Sequence, residues 1–231
     1  MSRLKCVLVG DSAIGKTSLI AAYTTNAFRE HYNATTYDNF CVSVTVDNKP
    51  LRLELCDTAG RAEFDSLRLL SYNEANVFLL CFSVMSEASL QSVIYKWLPE
   101  VRALAPDVPV ILCGTQSDLR HNLTKAMELK QRGIKPLTEK QIKKIADQHH
   151  LEVFECSALT HQNLKNVFDA VIVSSMSPKK QSSRGVDRNG SFNHHQNQQN
   201  GTPVPPPHNE KHKTGLKESF RKLVTMTRRL M

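Results

Sequence analysis

The chain has 231 residues, and 40% of them are hydrophobic, which is enough apolar content for one domain with a buried core. Its net charge of +8 comes entirely from the tail: residues 1–176 contain 19 basic and 19 acidic residues, whereas residues 177–231 contain 11 and 3. The sequence has no apolar run of membrane-spanning length and no secretory pattern, features that argue against an integral membrane protein and a secreted one.

Short β-rich runs alternate with helix-like stretches along residues 1–176. The predicted strands are Lys5–Val9, Cys41–Val46, Leu51–Cys56, Val77–Ser83, Val110–Gly114 and Glu152–Cys156. The predicted helices are Lys16–Tyr23, Leu90–Leu104, Thr138–His149 and Asn163–Ser175. This alternation predicts a three-layer α/β fold, in which helices cover both faces of a mostly parallel six-stranded sheet. In such sheets, ligands bind at the carboxyl ends of the strands.

A glycine-bounded loop connects the first predicted strand to the first predicted helix. Its residues are Gly10, Asp11, Ser12, Ala13, Ile14, Gly15, Lys16 and Thr17. The glycines permit torsions that let successive N–H groups point at a diphosphate, and the helix adds its positive end. Lys16 is expected to neutralise the outer phosphates and Thr17 to ligate Mg²⁺, with Ser18 also at the nucleotide. The alternative is a glycine turn with a surface lysine.

Asp57 closes the third predicted strand and is followed three residues later by Gly60. The Asp57 carboxylate is expected to hold Mg²⁺ through water, and the Gly60 N–H is expected to reach a terminal phosphate. An aspartate that follows a strand is more often a structural capping residue, so the assignment of Asp57 to Mg²⁺ depends on the presence of the other motifs.

Two later segments predict recognition of guanine. The first, Thr115 and Gln116 with Asp118, follows the fifth strand, and a carboxylate there can accept two N–H donors that adenine does not offer. The second, Ser157, Ala158 and Leu159, follows the last strand, where the Ala158 amide is expected to meet the guanine carbonyl. Each segment alone is a weak signal, but four motifs in the correct order and spacing are not expected by coincidence.

The chain resembles the Rho-family small GTPases over about residues 3–176. Besides Thr115-Gln116, the resemblance rests on Cys81–Val84 and on Lys96–Glu100. The stretch from Arg120 to Pro136 resembles the extra helix that separates Rho proteins from Ras and Rab relatives. Cys156–Thr160, with the run Leu164 to Asp169, is especially similar to the cell-division-control and Rac branches. The resemblance implies a P-loop GTPase fold that binds GTP or GDP with Mg²⁺ as a monomer.

Three further nucleotide contacts are implied by the resemblance. Phe28 matches the aromatic residue that packs edge-on against guanine, and Tyr32 matches a residue at the nucleotide. Thr35 matches the switch threonine, which binds Mg²⁺ and the terminal phosphate only when GTP is present. Loss of that phosphate releases the loop, so cleavage of one bond changes a protein-binding surface.

The resemblance places the effector-binding face at Tyr32 to Phe40, with Tyr37, Asp38 and Phe40 presented to the partner. It also implies exchange proteins and activating proteins as partners. Family members usually carry phenylalanine and then tyrosine at the two aromatic positions, and this chain reverses them. The choice of effector therefore does not follow from the sequence.

Arg61 stands where relatives that hydrolyse GTP carry glutamine. Glutamine both accepts and donates hydrogen bonds, whereas arginine has five donors and no acceptor, so Arg61 cannot orient the attacking water in the same way. The main expectation is therefore impaired hydrolysis. Two alternatives stay open: Arg61 acts as a built-in arginine finger, or it is a surface arginine without effect on the rate. Ser12 replaces the usual glycine and would crowd an activating arginine, although many Rab proteins have serine here and hydrolyse GTP.

The tail differs in composition from the rest. Residues 177–210 are rich in polar residues and proline and are predicted to be a disordered linker. The segment Pro203 to Pro206 matches a P-x-x-P motif for an SH3 domain, or else a stiff spacer. No cysteine follows Cys156, so we expect no prenyl anchor.

Residues 211–231 form a basic tail that can place its apolar and basic side chains on opposite faces of a helix. Over Leu216 to Met231 this pattern favours an anionic membrane surface. The alternatives are a calmodulin-like groove or an idle tail, and without an aromatic platform we expect no nucleic acid. Because the cysteines lack metal-ligand spacing and are expected to be reduced, we predict a cytoplasmic protein held peripherally at the plasma membrane or endomembranes.

Overall fold

The computed structural model describes residues 2–28, 37–122, 124, 127–128, 131, 135–176 and 224–225. Its strands are β1 (Ser2–Val9), β2 (Tyr37–Val46), β3 (Lys49–Thr58), β4 (Val77–Ser83), β5 (Val110–Thr115), β6 (Glu152–Glu155) and β7 (Val224–Thr225). Its α-helices are α1 (Lys16–Thr25), α2 (Asp65–Ser71), α3 (Glu87–Ser92), α4 (Leu98–Leu104), α5 (Glu139–Gln148) and α6 (Leu164–Met176).

The sheet has the strand order β6-β5-β4-β1-β3-β2-β7. Strands β6, β5, β4, β1 and β3 pair in parallel, and β2 pairs antiparallel with β3. The six predicted strands are therefore all present in a mostly parallel sheet, as predicted. The two-residue β7 adds to the free edge of β2, where Thr45 lies opposite Thr225.

The pleat of the sheet separates two hydrophobic cores. In β1, Cys6 and Leu8 enter one core together with α1 and α6, whereas Val7 and Val9 enter the other with α3, α4 and α5. Side chains of a strand alternate between the two faces, so a sheet that is covered on both faces needs apolar residues at successive positions. Every residue of β4 is buried, as its central place in the sheet requires.

The β2–β3 hairpin turns through Asp47 and Asn48, which have positive φ angles of 49° and 60°. A two-residue turn with both φ values positive matches the right-handed twist of the flanking strands, and aspartate and asparagine tolerate this backbone well. The turn fixes the register, so that Val46 pairs with Lys49 and Tyr37 at the far end pairs with Thr58. The beginning of β2 is thereby brought beside the end of β3.

Helices α3 and α4 are joined by a π-helical turn, Val93–Trp97, and together they cover the predicted span from Leu90 to Leu104. Pro99 lacks the N–H that would bond to the Tyr95 carbonyl, which accounts for the widened turn. The predicted helix over 138–149 is also present as α5, and Thr138 and Gln141 close its first turn by a reciprocal capping box.

The sequence did not predict α2 or the short 3-10 helix Ala62–Phe64 that precedes it. The apolar residues Leu67, Leu69 and Leu70 of α2 are all exposed, so this segment has no buried stripe that a periodicity search would find. Of the predicted extra helix in 120–136, the described residues 124, 127, 128 and 131 are helical. The rest of that stretch lies largely outside the described residues.

Residues 177–223 and 226–231 lie outside the described residues, and with them the predicted linker, the P-x-x-P motif and most of the basic tail. At Val224 and Thr225 the structure has a short strand, within the segment that is expected to form a helix on contact with a membrane. The unpaired N–H and C=O groups at the β2 edge favour an extended segment at this place. None of the helices in the described part of the chain is long and apolar enough to cross a membrane.

Candidate nucleotide-binding site

The loop between β1 and α1 has the backbone that the sequence predicted. Gly10 has a φ of +152°, and Gly15, directly before the first residue of α1, has a φ of +96°. A Cβ atom on Gly10 would lie 2.3 Å from the Cys81 carbonyl oxygen, so this position admits only glycine. Ser12 and Ala13 are exposed on the loop, whereas Ile14 is buried beneath it. The loop is thus held tightly against β4.

The Lys16 ammonium lies inside the loop. Its Nζ donates hydrogen bonds to the carbonyl oxygens of Gly10, at 2.8 Å, and Asp11, at 2.7 Å, and the residue is only 6% exposed. Burial lowers the pKa of Lys16 below its ordinary value. No described carboxylate forms an ion pair with this ammonium. A buried cation that is held mainly by carbonyl dipoles fits the polyphosphate of a nucleotide.

Two of the three predicted magnesium ligands meet at the end of β3. The Thr17 hydroxyl donates a hydrogen bond of 2.5 Å to Oδ2 of Asp57, which is fully buried. Hydroxyl and carboxylate oxygens are the donors that Mg²⁺ takes, and they converge here next to the loop. The residues present therefore fit a magnesium ion. Thr35, the third predicted ligand, lies outside the described residues, as does Tyr32.

A pocket of about 170 Å³ opens beside the loop. Its lining residues are Gly15, Ser18, Leu19, Phe28, Thr115, Gln116, Asp118, Leu119, Ala158 and Leu159. Phe28 reaches the pocket from the end of α1, and Leu159 reaches it from the opposite segment after β6; their exposed fractions are 38% and 53%. The structure thus brings together the residues that the sequence assigned to guanine, although they come from three separate parts of the chain.

Hydrogen bonds hold the base-binding segments in place. The Ser157 hydroxyl donates to Oδ1 of Asp118 at 2.6 Å, which fixes the carboxylate at the pocket. The Thr115 hydroxyl donates to the Ile14 carbonyl at 2.5 Å and so ties this segment to the phosphate-binding loop. Gln116 has a left-handed backbone, with a φ of 61°, and its side-chain oxygen accepts a 2.5 Å hydrogen bond from Ser83. The sequence did not predict a role for Ser83.

Gly60 and Arg61 lie where β3 leaves the sheet. A Cβ atom on Gly60 would lie 2.4 Å from the Ser12 nitrogen, so the Gly60 backbone is packed directly against the loop. The Arg61 side chain is half-exposed, and its Nη1 lies 3.3 Å from Oε1 of Glu63. The guanidinium is thus paired within its own segment. An exposed pair of this kind contributes little to stability.

The described part of the effector-binding face begins at Tyr37. Tyr37 and Asp38 are exposed, and Phe40 is partly buried against the core that contains α1. The face therefore presents one aromatic ring to solvent, while the second ring is anchored. The remainder of the predicted face, Tyr32 to Thr36, lies outside the described residues.

Arg68 is a buried residue near the site that the sequence did not reveal. It is 1% exposed, and its guanidinium forms two parallel 3.0 Å hydrogen bonds to the Glu100 carboxylate. Burial alone would lower the pKa of Arg68, but the hydrogen bonds to Glu100 and the ion pair with Asp65 raise it above its ordinary value. The partners are 32 residues apart in the chain, so no local pattern signals this contact.

Comparisons with known proteins agree with this geometry. The profile described as the Ras family matches residues 5–177. The chain is similar to the Rho-related GTP-binding protein RhoV of Rattus norvegicus, with 46% identity over 189 residues, covering 81% of this chain and 80% of that protein. The proteins of the same name from Homo sapiens and Bos taurus are 45% and 44% identical over the same coverage.

Proposed function

Because the chain belongs to the Ras family of small GTP-binding proteins, and within it to the Rho proteins, we propose that it is a switch held mainly in its GTP state. Members of the family bind GTP and GDP with Mg²⁺, hydrolyse GTP, and act through effectors, exchange proteins and activating proteins. The proposal concerns the balance between the GTP-bound and GDP-bound states of this chain. Binding of GTP depends on the loop and the base pocket, whereas its hydrolysis depends on the residue that follows Gly60.

The observation that carries the proposal is Arg61. In-line attack on the terminal phosphate needs a group that accepts a hydrogen bond from the attacking water, and a guanidinium has only donors. A built-in arginine finger would instead have to reach the leaving oxygens. Hydrolysis is therefore slow in this proposal, and effectors bind the persistent GTP state.

The binding roles follow from the contacts. We assign the phosphates to the N–H groups of residues 10–18 and to Lys16, and the metal to Thr17 and Asp57 together with Thr35. When bound, Mg²⁺ neutralises charge on the outer phosphates. In the base pocket, Asp118 accepts hydrogen bonds from guanine, and Phe28 packs against the ring.

The nucleotide content of the purified full-length chain tests the proposal. We expect GTP to exceed GDP when the bound nucleotide is extracted and separated, because the protein meets GTP in the cell and cleaves it slowly. An Arg61→Gln sample prepared in parallel serves as the control and should carry mainly GDP. A parent sample that also carries mainly GDP would favour the alternative, a conventional GTPase that cycles with the help of exchange and activating proteins.

We further propose that residues 1–176 form the switch domain, that 177–210 form a linker, and that 211–231 attach the protein to membranes. The net positive charge of the chain lies in residues 177–231, which suits the anionic cytoplasmic leaflet. A peripheral position there would bring effectors to a membrane surface. Control of actin organisation, cell polarity or membrane traffic is proposed from family analogy alone.

Flotation with vesicles that contain anionic lipid tests the tail. In this proposal residues 216–231 leave the edge of β2 and form a helix on the membrane. On that helix Leu223 lies on the apolar face and Thr225 on the basic face, so Leu223→Glu and Thr225→Glu change the charge equally but at opposite faces. We expect Leu223→Glu to reduce the bound fraction about tenfold, because it places a charge in the apolar interface. The bound fraction of Thr225→Glu should fall far less. Equal binding by the parent and Leu223→Glu would show that the helix does not insert.

A further inference from the structure

The guanidinium of Arg68 is held on several sides in the core beside the phosphate-binding loop. Nε and Nη2 donate to the two oxygens of Glu100, and Nη1 lies 2.8 Å from Oδ1 of Asp65. The guanidinium carbon lies 4.6 Å from the centre of the Trp97 ring, within cation–π range. An arginine that forms two hydrogen bonds to one carboxylate and lies over an aromatic ring has little freedom to move. The Nη1 atom is therefore fixed where it contacts the backbone.

This backbone contact is with the peptide that joins Ala59 to Gly60. Nη1 of Arg68 donates a 3.3 Å hydrogen bond to the Ala59 carbonyl oxygen. The other end of this peptide unit is the Gly60 N–H, and the Gly60 backbone is packed against Gly10, Asp11 and Ser12 of the loop. Because a peptide unit is planar, fixing its carbonyl also fixes the direction of its N–H. Arg68 thus sets the orientation of the Gly60 N–H.

The ring beneath Arg68 is tied to the same loop. Nε1 of Trp97 donates a 2.8 Å hydrogen bond to Oδ1 of Asp11, the second residue of the loop. The π-helical turn before Pro99 carries Trp97 into this position. Arg68 and Trp97 therefore connect the Ala59–Gly60 peptide to the loop that this peptide faces.

We propose that Arg68 is a positioning residue that sets the preference of this site for GTP over GDP. This rests on the proposed function in taking the Gly60 N–H as a donor to the third phosphate. GDP has no third phosphate, so the orientation of this N–H affects the binding of GTP alone. The Glu100 carboxylate contributes indirectly, because it holds the guanidinium that holds the Ala59–Gly60 peptide.

The test compares the release of two bound nucleotides from the full-length chain in the presence of Mg²⁺. Fluorescent GDP and a fluorescent, non-hydrolysable GTP analogue are each displaced by excess unlabelled GDP. In Glu100→Gln, the neutral amide keeps the shape of the carboxylate but can accept only one of the two arginine bonds well. We expect release of the GTP analogue to become about tenfold faster, with less than about a twofold change for GDP.

Arg68→Lys is the second variant, because it keeps the buried charge while losing the planar fork that reaches Glu100 and Ala59 together. It should change the ratio of the two release rates in the same direction. Tyr72→Phe is the matched control: it removes a 2.6 Å hydrogen bond to the same Glu100 carboxylate but leaves both arginine bonds. Thr138→Ala removes the capping box of α5 and controls for a simple loss of stability. Neither control should change the ratio.

Equal acceleration of both nucleotides in Glu100→Gln would overturn the proposal, because it would indicate general loosening of the loop. Unchanged rates in that variant would overturn it as well. Because the GTP analogue is not hydrolysed, the result does not depend on the rate of hydrolysis. If the parent protein is purified mainly with GDP, the proposal of slow hydrolysis is contradicted. The ratio of the two release rates still tests the role of Arg68, because it does not involve hydrolysis.

Discussion

Replacing Arg61 by glutamine is expected to raise the single-turnover rate of GTP hydrolysis by about tenfold in the isolated full-length protein. Glutamine restores a hydrogen-bond acceptor that orients the attacking water, which the half-exposed guanidinium does not provide. With a Rho-family activating protein present, we expect the gain to reach about 10³-fold, since the arginine of such a protein acts on a transition state whose water is already oriented. The measurement is release of phosphate from preloaded GTP after addition of Mg²⁺.

The matched control is Arg61→Met, which removes the positive charge and keeps a long side chain but supplies no acceptor. It should stay as slow as the parent. If Arg61→Met hydrolyses GTP as fast as Arg61→Gln, then removal of the cation, and not the new acceptor, explains the gain. If the parent already equals Arg61→Gln, arginine is tolerated or catalytic at this position, and the protein is a conventional cycling GTPase.

Asp118→Asn is expected to weaken binding of guanine nucleotides by about a thousandfold, equal to about 4 kcal/mol. The substitution replaces one acceptor oxygen by an amide donor, which faces the donors of guanine. Xanthine carries a carbonyl where guanine carries its amino group, so the variant should gain affinity for xanthosine nucleotides. Competition between GDP and xanthosine diphosphate for the full-length protein measures both effects in one titration.

Ser157→Ala provides the comparison for this second experiment. It removes the 2.6 Å hydrogen bond that fixes the Asp118 carboxylate but leaves both acceptor oxygens. We expect a loss of about tenfold for guanine nucleotides with no gain for xanthosine nucleotides. If Asp118→Asn lost guanine affinity without gaining xanthine affinity, the carboxylate would be acting on the fold of the pocket and not on the base.

Much of the fold follows from local sequence. The alternating strands and helices of residues 1–176 appear as predicted, except that β1, β2 and α3 begin at Ser2, Tyr37 and Glu87, before the apolar runs that marked them in the sequence. A doubly covered sheet needs continuous apolar runs that few other folds would tolerate. The loop from Gly10 to Thr17 was equally predictable, because its residue types and spacing identify it even though the contact that excludes a Cβ atom at Gly10 is with the distant Cys81 carbonyl. The site residues that the structure describes converge because the strands before them are parallel and end at one edge of the sheet.

Other features depend on packing between distant segments. The leucines of α2 are exposed and do not form the buried apolar face by which a helix is predicted, so the sequence did not predict α2. The strand at Val224 and Thr225 depends on the free edge of β2, which is formed by residues almost 180 positions earlier in the chain. The spacing of apolar and basic residues indicated a helix there, whereas the β-branched Val224 and Thr225 and backbone pairing with an existing edge favour the strand.

The sequence by itself determined that this chain binds a guanine nucleotide and that the residue after Gly60 is arginine, because both depend on residue types at fixed short spacings. Only the tertiary structure decided what holds the Ala59–Gly60 peptide and the loop beside it. Those outcomes depend on Arg68 with Glu100, 32 residues apart, and on the contact between Trp97 and Asp11 across 86 residues. Hydrogen bonds and buried charges act over a few ångströms, so folding must first bring such residues together.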